Sequence, residues 1–233
     1  GSDINLNKVS SVSLSEDGST IVIGSIDSNN NAEGGGYIKV YSLSNSDQWI
    51  QLGDDIKGNA REEIGKTVAI SSDGKTIAYG SAWSHRGGNH SGHVAVHRYD
   101  GQAWQQLGNP IVGNSSLAFS GVGGSYSLFR SIDLAANGSI IAIGSPEGTD
   151  ADRGLANIYR YSDNSWINIG NEITGSSSGD ISGSAISISA DGSTVAIGSP
   201  GKEINDHDNT GSTSIFRLLH TVIPYVDDGV ASF

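Results

Sequence analysis

The stretch SSDGKTIAYGS, residues 71–81, occurs in four closely related copies along this chain. The other copies are SEDGSTIVIGS (15–25), AANGSIIAIGS (135–145) and SADGSTVAIGS (189–199). Each places an Asp-Gly or Asn-Gly pair between two apolar runs, which predicts a hairpin with a two-residue turn because both residues tolerate a positive φ. The pairs are spaced 56, 64 and 54 residues apart, so the chain is built from repeats.

Each repeat predicts strands in the same order. An alternating strand comes first, for example TVAIS from Thr67, and its period of two predicts one buried face. The second strand, TIAYGS in the second repeat, is more continuously apolar, which predicts a central strand covered on both sides. A long polar loop leads to a third strand such as HVAVHRY from His93, and a tight turn leads to a Trp-led fourth strand such as WQQLG from Trp104. The fourth repeat has no Trp-led strand.

Repeated four-stranded meanders of about 55 residues are typical of β-propellers. We therefore predict an all-β fold, a β-propeller of four four-stranded antiparallel blades forming one domain over residues 1–233. The repeats lie at about 9–63, 64–127, 128–181 and 182–233. The N-terminal segment GSDIN is similar to GDDIK from Gly53 and GNEIT from Gly170, so we expect it to help close the ring on the last blade. The alternatives are four units of a longer array and half of a dimeric ring.

The composition excludes several classes of function. The net charge of -12 disfavours nucleic acid and anionic membranes, because phosphate binding requires clustered Lys and Arg. The absence of Cys excludes disulfides and thiolate metal sites. No run of about 18 apolar residues is present, so we expect no membrane insertion.

The repeats resemble those of FG-GAP or integrin-α-type propeller proteins. The elements that carry this resemblance are GKTVAISSDGKTIAYGS (65–81), GHVAVHRYDGQAWQQLG (92–108) and IAIGSPEGTDADRGLANIYRY (141–161), and the similarity covers roughly residues 9 to 218. The resemblance implies an extracellular or cell-surface location and a role in binding or adhesion. The Asp-rich calcium loop of that family does not carry over to the turns at Asp17, Asp73, Asn137 and Asp191, because two residues cannot supply six to eight oxygens.

The long loops between the second and third strands fall on one face of a propeller, together with the connections between blades. Functional residues concentrate on loops over a rigid scaffold, so we expect the ligand there. The ligand-binding candidates are Trp83, His85, Arg86, His90, Asp150, Asp152, Asp206 and Asp208.

One long loop also supplies a candidate site for calcium. Its alternating oxygen-bearing side chains, Asp27, Asn29, Asn31 and Glu33, resemble the first half of a calcium loop. The alternative interpretation is that Asp, Asn and Gly fill these turns by hydrogen bonding to their own backbone.

Trp83 could stack on a sugar ring, while His85, His90 and His93 suggest a transition-metal site. His93 occupies the slot of Tyr37 and Leu155, and His97 occupies that of Tyr41, Tyr159 and Phe216, so we expect both to be packing residues. Trp49, Trp104 and Trp166 recur at one slot, which indicates packing between blades.

These patterns favour a non-catalytic recognition or adhesion module that binds a glycan or an extracellular protein. One alternative is a carbohydrate-active enzyme with acidic residues such as Asp150 and Asp206 at the ring centre. The other is a structural unit of a surface assembly. The sequence lacks a Cys nucleophile and the Gly-x-Ser-x-Gly elbow, so we expect no catalysis.

Overall fold

The structure is a computed structural model that describes residues 4–26, 34–81, 92–113, 131–146, 152–203 and 210–218. They are called the described residues below. They form four antiparallel sheets that follow one another along the chain. No helix long and apolar enough to cross a lipid bilayer occurs among them.

The first two sheets each contain five strands. The first holds β1 (Val9–Leu14), β2 (Thr20–Ser25), β3 (Tyr37–Leu43), β4 (Trp49–Gln51) and β5 (Ile56–Lys57). The second holds β6 (Ile64–Ile70), β7 (Thr76–Ser81), β8 (His93–Tyr99), β9 (Trp104–Gln106) and β10 (Ile111–Val112).

The third sheet repeats this plan, and the fourth is shorter. The third holds β11 (Ile132–Leu134), β12 (Ile140–Ser145), β13 (Leu155–Ser162), β14 (Ser165–Asn168) and β15 (Ile173–Thr174). The fourth holds β16 (Ala185–Ile188), β17 (Thr194–Ser199) and β18 (Ser212–Arg217).

The predicted all-β fold and the meander order are confirmed. The sequence missed the short fifth strands β5, β10 and β15, which pair with the third strand of their own sheet beside the fourth. Two-residue strands lie below the length at which a period can be recognised in a sequence.

The turns between first and second strands differ from the prediction. Ser15 and Thr20 close the first of them through the hydrogen bond from Ser15 N to Thr20 O, 2.9 Å, so four residues form the loop. Only its Gly18 has a positive φ, of 70°. The two-residue turn was wrong here because side-chain hydrogen bonds to Asp17 stabilise the longer loop. The turn at Asp163 and Asn164 does have two residues of positive φ, 50° and 60°.

The hydrophobic core lies between consecutive sheets, in three separate clusters. Val22, Ile38 and Val40 of the first sheet pack against the second sheet, and the next two boundaries repeat this arrangement. The first strands β1, β6, β11 and β16 are neighbours in that order. Sheets stacked face to face with their first strands adjacent are arranged as blades around an axis.

Hydrogen bonds between neighbouring turns fasten the sheets at the end where these turns lie. Glu16 N donates to Ser72 O at 3.2 Å, Ser72 N to Ala136 O at 3.0 Å, and Ala136 N to Ala190 O at 2.9 Å. The four residues occupy the same place in successive repeats. At this end of the stack, one such hydrogen bond therefore links each pair of consecutive sheets.

The two outer faces of the stack remain exposed. Val12 on β1 is 56% exposed, whereas Val68, at the same place on β6, is 1% exposed. Ile215 on β18 is 72% exposed, whereas its counterpart Ile158 on β13 is 1% exposed. Strands of the same sequence pattern therefore differ in burial because only the inner sheets have two neighbours.

This difference corrects two predictions about burial. The second strand is buried on both faces in β7 and β12, but β17 alternates because no described sheet covers its outer face. The first strand was expected to bury one face, yet β6 is buried on both because β1 and β11 flank it.

Closure of the ring by the N-terminal segment stays a prediction. Residues 4–8 join no sheet, and Asn7 O accepts the Ser25 hydroxyl at 2.7 Å. β18 pairs only with β17 among the described strands. Among the described strands, none of the fourth sheet packs extensively against a strand of the first sheet.

Candidate functional site

The second strands end and the third strands begin at one edge of the stack, as the meander order predicts. The long loops leave the second strands and return to the third strands at the edge where each connection also enters the next sheet. We call this edge the long-loop face; its described base consists of residues 34–36, 62–65, 152–154 and 180–183.

Backbone hydrogen bonds between sheets make this base rigid. Glu63 N donates to Gly34 O and Ile64 N to Gly35 O, both at 2.9 Å. At the boundary of the third and fourth sheets, Ile181 N donates to Asp152 O at 3.0 Å and Ser182 N to Arg153 O at 2.9 Å. The same pairing at two boundaries makes this base a platform of paired main chain.

Glycines allow the backbones to approach closely at this base. A Cβ on Gly24 would collide with the main chain of Gly65, and one on Gly144 would collide with that of Gly183. The second strand therefore requires a Gly near its end, Gly24 in the first repeat and Gly144 in the third, to allow this close approach. The platform is formed by main chain rather than by side chains.

Two carboxylates of the base stabilise the connections between sheets. The buried Asp180 accepts hydrogen bonds from Ser176 N at 2.8 Å and Ser177 N at 3.0 Å. Burial alone would raise the pKa of Asp180, but these bonds and the Ser176 hydroxyl outweigh it and lower the pKa. Glu62 takes the corresponding place in the second repeat and accepts Asn59 N at 2.9 Å. Both carboxylates are structural.

Most of the predicted site residues lie outside the described residues. The ligand-binding candidates in this group are Trp83, His85, Arg86, His90, Asp150, Asp206 and Asp208, and the metal candidates are Asp27, Asn29, Asn31 and Glu33. Residues 114–129, an apolar insertion that breaks the spacing of the repeats, also lie outside the described residues. Their roles stay predictions.

Asp152 is the one predicted ligand residue that the structure describes. It is exposed, has a φ of 52°, and takes the place that Gly34, with a φ of 72°, holds in the first repeat. Asp is one of the few residues with a side chain that adopts this conformation at low cost. The main chain of Asp152 bonds to Ile181, so the position has a structural role whatever its side chain binds.

The histidines of β8 are buried, as the packing interpretation predicts. His97 stacks on Tyr79 with ring centroids 5.4 Å apart, and its Nδ1 has no hydrogen-bond partner among the described residues. Burial lowers the pKa of His97 to about 4. A cavity of about 180 Å³ adjoins it, lined also by Glu62 and Gln106. The described residues contain no cluster of three or more His, Asp or Glu side chains suited to a metal ion.

The innermost strands provide one acidic side chain, Asp133 on β11, among the described residues. Its Oδ2 accepts Ile188 N at 2.9 Å and the Ser187 hydroxyl at 3.0 Å. This carboxylate therefore links the third sheet to the fourth.

The turn residues at the opposite edge use their oxygens locally. Hydrogen bonds from Ser15 and Ser19 lower the pKa of Asp17 to about 2, and Ser189 and Ser193 do the same for Asp191. In the third repeat, Asn137 accepts Ser139 N at 2.9 Å. These contacts agree with the prediction that the turns are not calcium loops.

A cleft that the sequence did not reveal lies between the third and fourth sheets. It has a volume of about 730 Å³ and is lined by Ile158, Ile169, Ile173, Phe216 and Leu218, among others. The available signal was the missing Trp-led strand of the fourth repeat. That signal indicates a site only once the Trp residues of the other repeats have been located in space.

Comparison with known proteins shows the fold. No protein-family model and no curated protein matches this chain. The β-propeller domain of the Trilobed protease from Pyrococcus furiosus, which has an open velcro topology, is similar with a TM-score of 0.51 and 13% identity; the match covers 90% of this chain and 54% of that one. A candidate 6-phosphogluconolactonase from Bacteroides uniformis gives a TM-score of 0.55 at 12% identity, covering 90% of this chain and 55% of that one.

TolB from Acinetobacter baumannii gives a TM-score of 0.47 at 19% identity, covering 89% of this chain and 40% of that one. The chain thus spans about half the length, or less, of these solved structures. At such identities the likeness is one of fold: the four stacked sheets are those of a β-propeller.

Proposed function

We propose that this propeller is a non-catalytic recognition module that binds a partner protein or a glycan through its long-loop face. The observation that supports this proposal is the asymmetry between the two edges of the stack. One edge carries short turns whose polar groups are satisfied by their own residues and by the next sheet. The other edge is a main-chain platform at which the second strands end and the third strands begin, and functional residues concentrate on loops over such rigid scaffolds.

The resemblance to FG-GAP or integrin-α-type repeats supports an extracellular or cell-surface location for this activity. It also supports adhesion as the biological setting. The propeller of the Trilobed protease is a domain of a larger protein, and this chain matches about half of that domain structure. A binding or assembly module is consistent with such a modular use of the fold.

The proposal is tested by comparing variants at the two edges of the stack. The wild-type chain is screened on a glycan array and against surface-protein extracts, with millimolar calcium and again with a chelator. We expect Trp83→Ala and Asp206→Ala to reduce the signal at least tenfold, because buried aromatic and charged contacts dominate binding energy. Calcium dependence would support a bound metal ion, and Asp27→Ala would then test the candidate ligands Asp27, Asn29, Asn31 and Glu33.

Matched controls lie at the short-turn edge. Lys75 and Gln102 are exposed, so Lys75→Ala and Gln102→Ala should leave both binding and the urea unfolding midpoint unchanged. Loss of binding in these controls, with binding retained in the loop variants, would contradict the proposal.

A further inference from the structure

Two boundaries between sheets share an indole contact. Trp104 Nε1 of the second sheet donates to Leu52 O of the first at 2.7 Å. Trp166 Nε1 of the third sheet donates to Leu107 O of the second at 2.8 Å. Each indole therefore belongs to one sheet and satisfies a main-chain carbonyl of the sheet before it.

A glycine makes room for each indole. An added Cβ on Gly53 would lie 2.9 Å from Trp104 Cδ1, and one on Gly108 would lie 3.2 Å from Trp166 Cδ1. Contacts this short require the ring to move. The Trp-x-x-Leu-Gly pattern of the strands thus encodes a donor, the Trp, and an acceptor, the Leu-Gly pair, for neighbouring sheets.

The third boundary has the acceptor without the donor. Ile169 N bonds Ile158 O at 2.8 Å, just as Leu52 N bonds Val40 O at 2.8 Å, so the acceptor strand has the same position. Gly170 keeps a positive φ of 90°, yet a Cβ added there would meet no atom of the described residues within 4 Å. The carbonyl of Ile169 accepts no hydrogen bond from a described residue. The cleft of about 730 Å³ lies over this pair.

The edge of the fourth sheet is also incomplete among the described strands. β3, β8 and β13 each pair with a fourth strand and with a short fifth strand on their outer side. β18 pairs only with β17. The cleft and this open edge adjoin, because Phe216, Arg217 and Leu218 line the cleft from β18 and its end.

We propose that this edge binds an extended strand of the Trp-x-x-Leu-Gly type carried by another polypeptide. The strand adds to β18 in antiparallel orientation, as β4 adds to β3. Its indole enters the cleft over Gly170 and donates its N–H to Ile169 O. No described strand is left to supply it, because the strands that begin at Trp49, Trp104 and Trp166 are already paired within their own sheets, and we assign the donor to another polypeptide.

The geometry selects the aromatic residue. The two occupied boundaries use a donor on the ring itself, which Phe does not have and Tyr places at the end of its ring. Ile158, Ile169 and Phe216 provide the apolar walls. A Trp in such a pocket usually dominates the binding energy of a peptide. The proposal concerns a different surface from the long-loop face and is independent of the function proposed above.

The first test uses a peptide with the sequence of residues 101–113, GQAWQQLGNPIVG, labelled with fluorescein. Its binding to the full wild-type chain is followed by fluorescence anisotropy. We expect saturable binding that weakens at least tenfold when the Trp of the peptide is replaced by Ala. Equal binding of both peptides would overturn the proposal. So would the absence of saturable binding up to about 1 mM peptide, the result expected if residues 219–233 of the same chain fill the cleft.

The second test uses Gly170→Ala, which places a methyl group where the indole ring should lie. We expect binding of the Trp peptide to fall about tenfold or more, as for loss of a central contact. Gly101→Ala is the matched control, because Gly101 also has a positive φ and no described atom within 4 Å of an added Cβ. Gly101 lies in the turn between β8 and β9 of the second sheet, whereas the cleft lies between the third and fourth sheets. Unchanged binding to folded Gly170→Ala would overturn the proposal. The Ala peptide tests it on the wild-type chain even if this variant does not fold.

Discussion

The recurring Trp residues allow a prediction with an internal control. Trp104→Phe and Trp166→Phe each remove an indole N–H that bonds the preceding sheet, at 2.7 and 2.8 Å. Trp49 occupies the same slot of the first sheet, but no described sheet precedes it, and its indole forms no hydrogen bond to a described residue. The three substitutions are chemically identical. Trp104 and Trp166 also contact Tyr99 and Tyr161 of their own sheets, where Trp49 pairs with Leu43, but Trp→Phe keeps an aromatic ring for that contact and removes the N–H.

The expected magnitudes follow from those contacts. Losing one hydrogen bond costs about 1 kcal/mol, and leaving the carbonyl of Leu52 or Leu107 unpaired in a partly buried place raises the total to about 2 kcal/mol. The smaller Phe ring also loses contacts to the cluster at each boundary. Trp49→Phe should cost less than about 1 kcal/mol, as expected of a substitution without a partner.

Urea unfolding followed by circular dichroism measures the difference between these variants. Trp104→Phe and Trp166→Phe should lower the midpoint clearly more than Trp49→Phe, with no change in the slope of the transition. Equal losses in all three would refute the reasoning. The recurrence of Trp would then reflect packing within each sheet rather than the contact between sheets.

Three further predictions concern pH and burial. His97 has a pKa of about 4 in the folded chain against 6.5 for the free side chain, so the unfolded chain takes up its proton first and about 3 kcal/mol of stability should be lost between about pH 6.5 and 4. His97→Phe, which copies Phe216 in the fourth repeat, should flatten this part of the pH profile of urea unfolding; an unchanged profile would exclude His97 as its source. Asp17 has a lowered pKa of about 2, so its stabilising effect is complete above its usual value of 3.8 and is lost as the pH falls through 2. Asp17→Asn, which copies Asn137, should keep the turn and remove that acid-sensitive contribution, and urea unfolding of both chains as the pH falls from 3.8 to about 2 checks this. Ile158→Ala should cost about 3 kcal/mol and Ile215→Ala less than about 1 kcal/mol, because the first side chain is buried between sheets and the second is exposed; similar losses in thermal unfolding would show that the fourth sheet is covered in solution.

The strand order was available from the sequence because it rests on local chemistry. Alternating residues on the first strand, the Gly that follows Asp17 or Asn137, and the Trp that opens the fourth strand are each recognisable within a few residues. The structure confirms the resulting order of strands in all four repeats as far as it describes them. The number of residues in the turns was wrong because the carboxylate of Asp17 bonds across its own loop, a contact that a dipeptide signal does not include.

The candidate site was less accessible from the sequence. Oxygen-rich loops and the aromatic at Trp83 indicate a face, but the positions of their side chains depend on contacts that a sequence does not contain. Asp152 illustrates this limit: the sequence offers its carboxylate as a ligand, whereas the structure gives its main chain a bond to Ile181. The cleft beside Gly170 was not predicted, because its meaning depends on where two other Trp residues lie.

By itself, the sequence determined the all-β class, the four repeats and the edge of the stack on which long loops lie. Periodicity and turn chemistry act over a few residues, so they are written into each repeat. Tertiary structure alone decided which copies of one pattern are buried: Val68 is covered and Val12 is not, although both stand at the same place in their repeats. Burial requires a neighbouring sheet, and the neighbour is a property of the stack rather than of any single repeat.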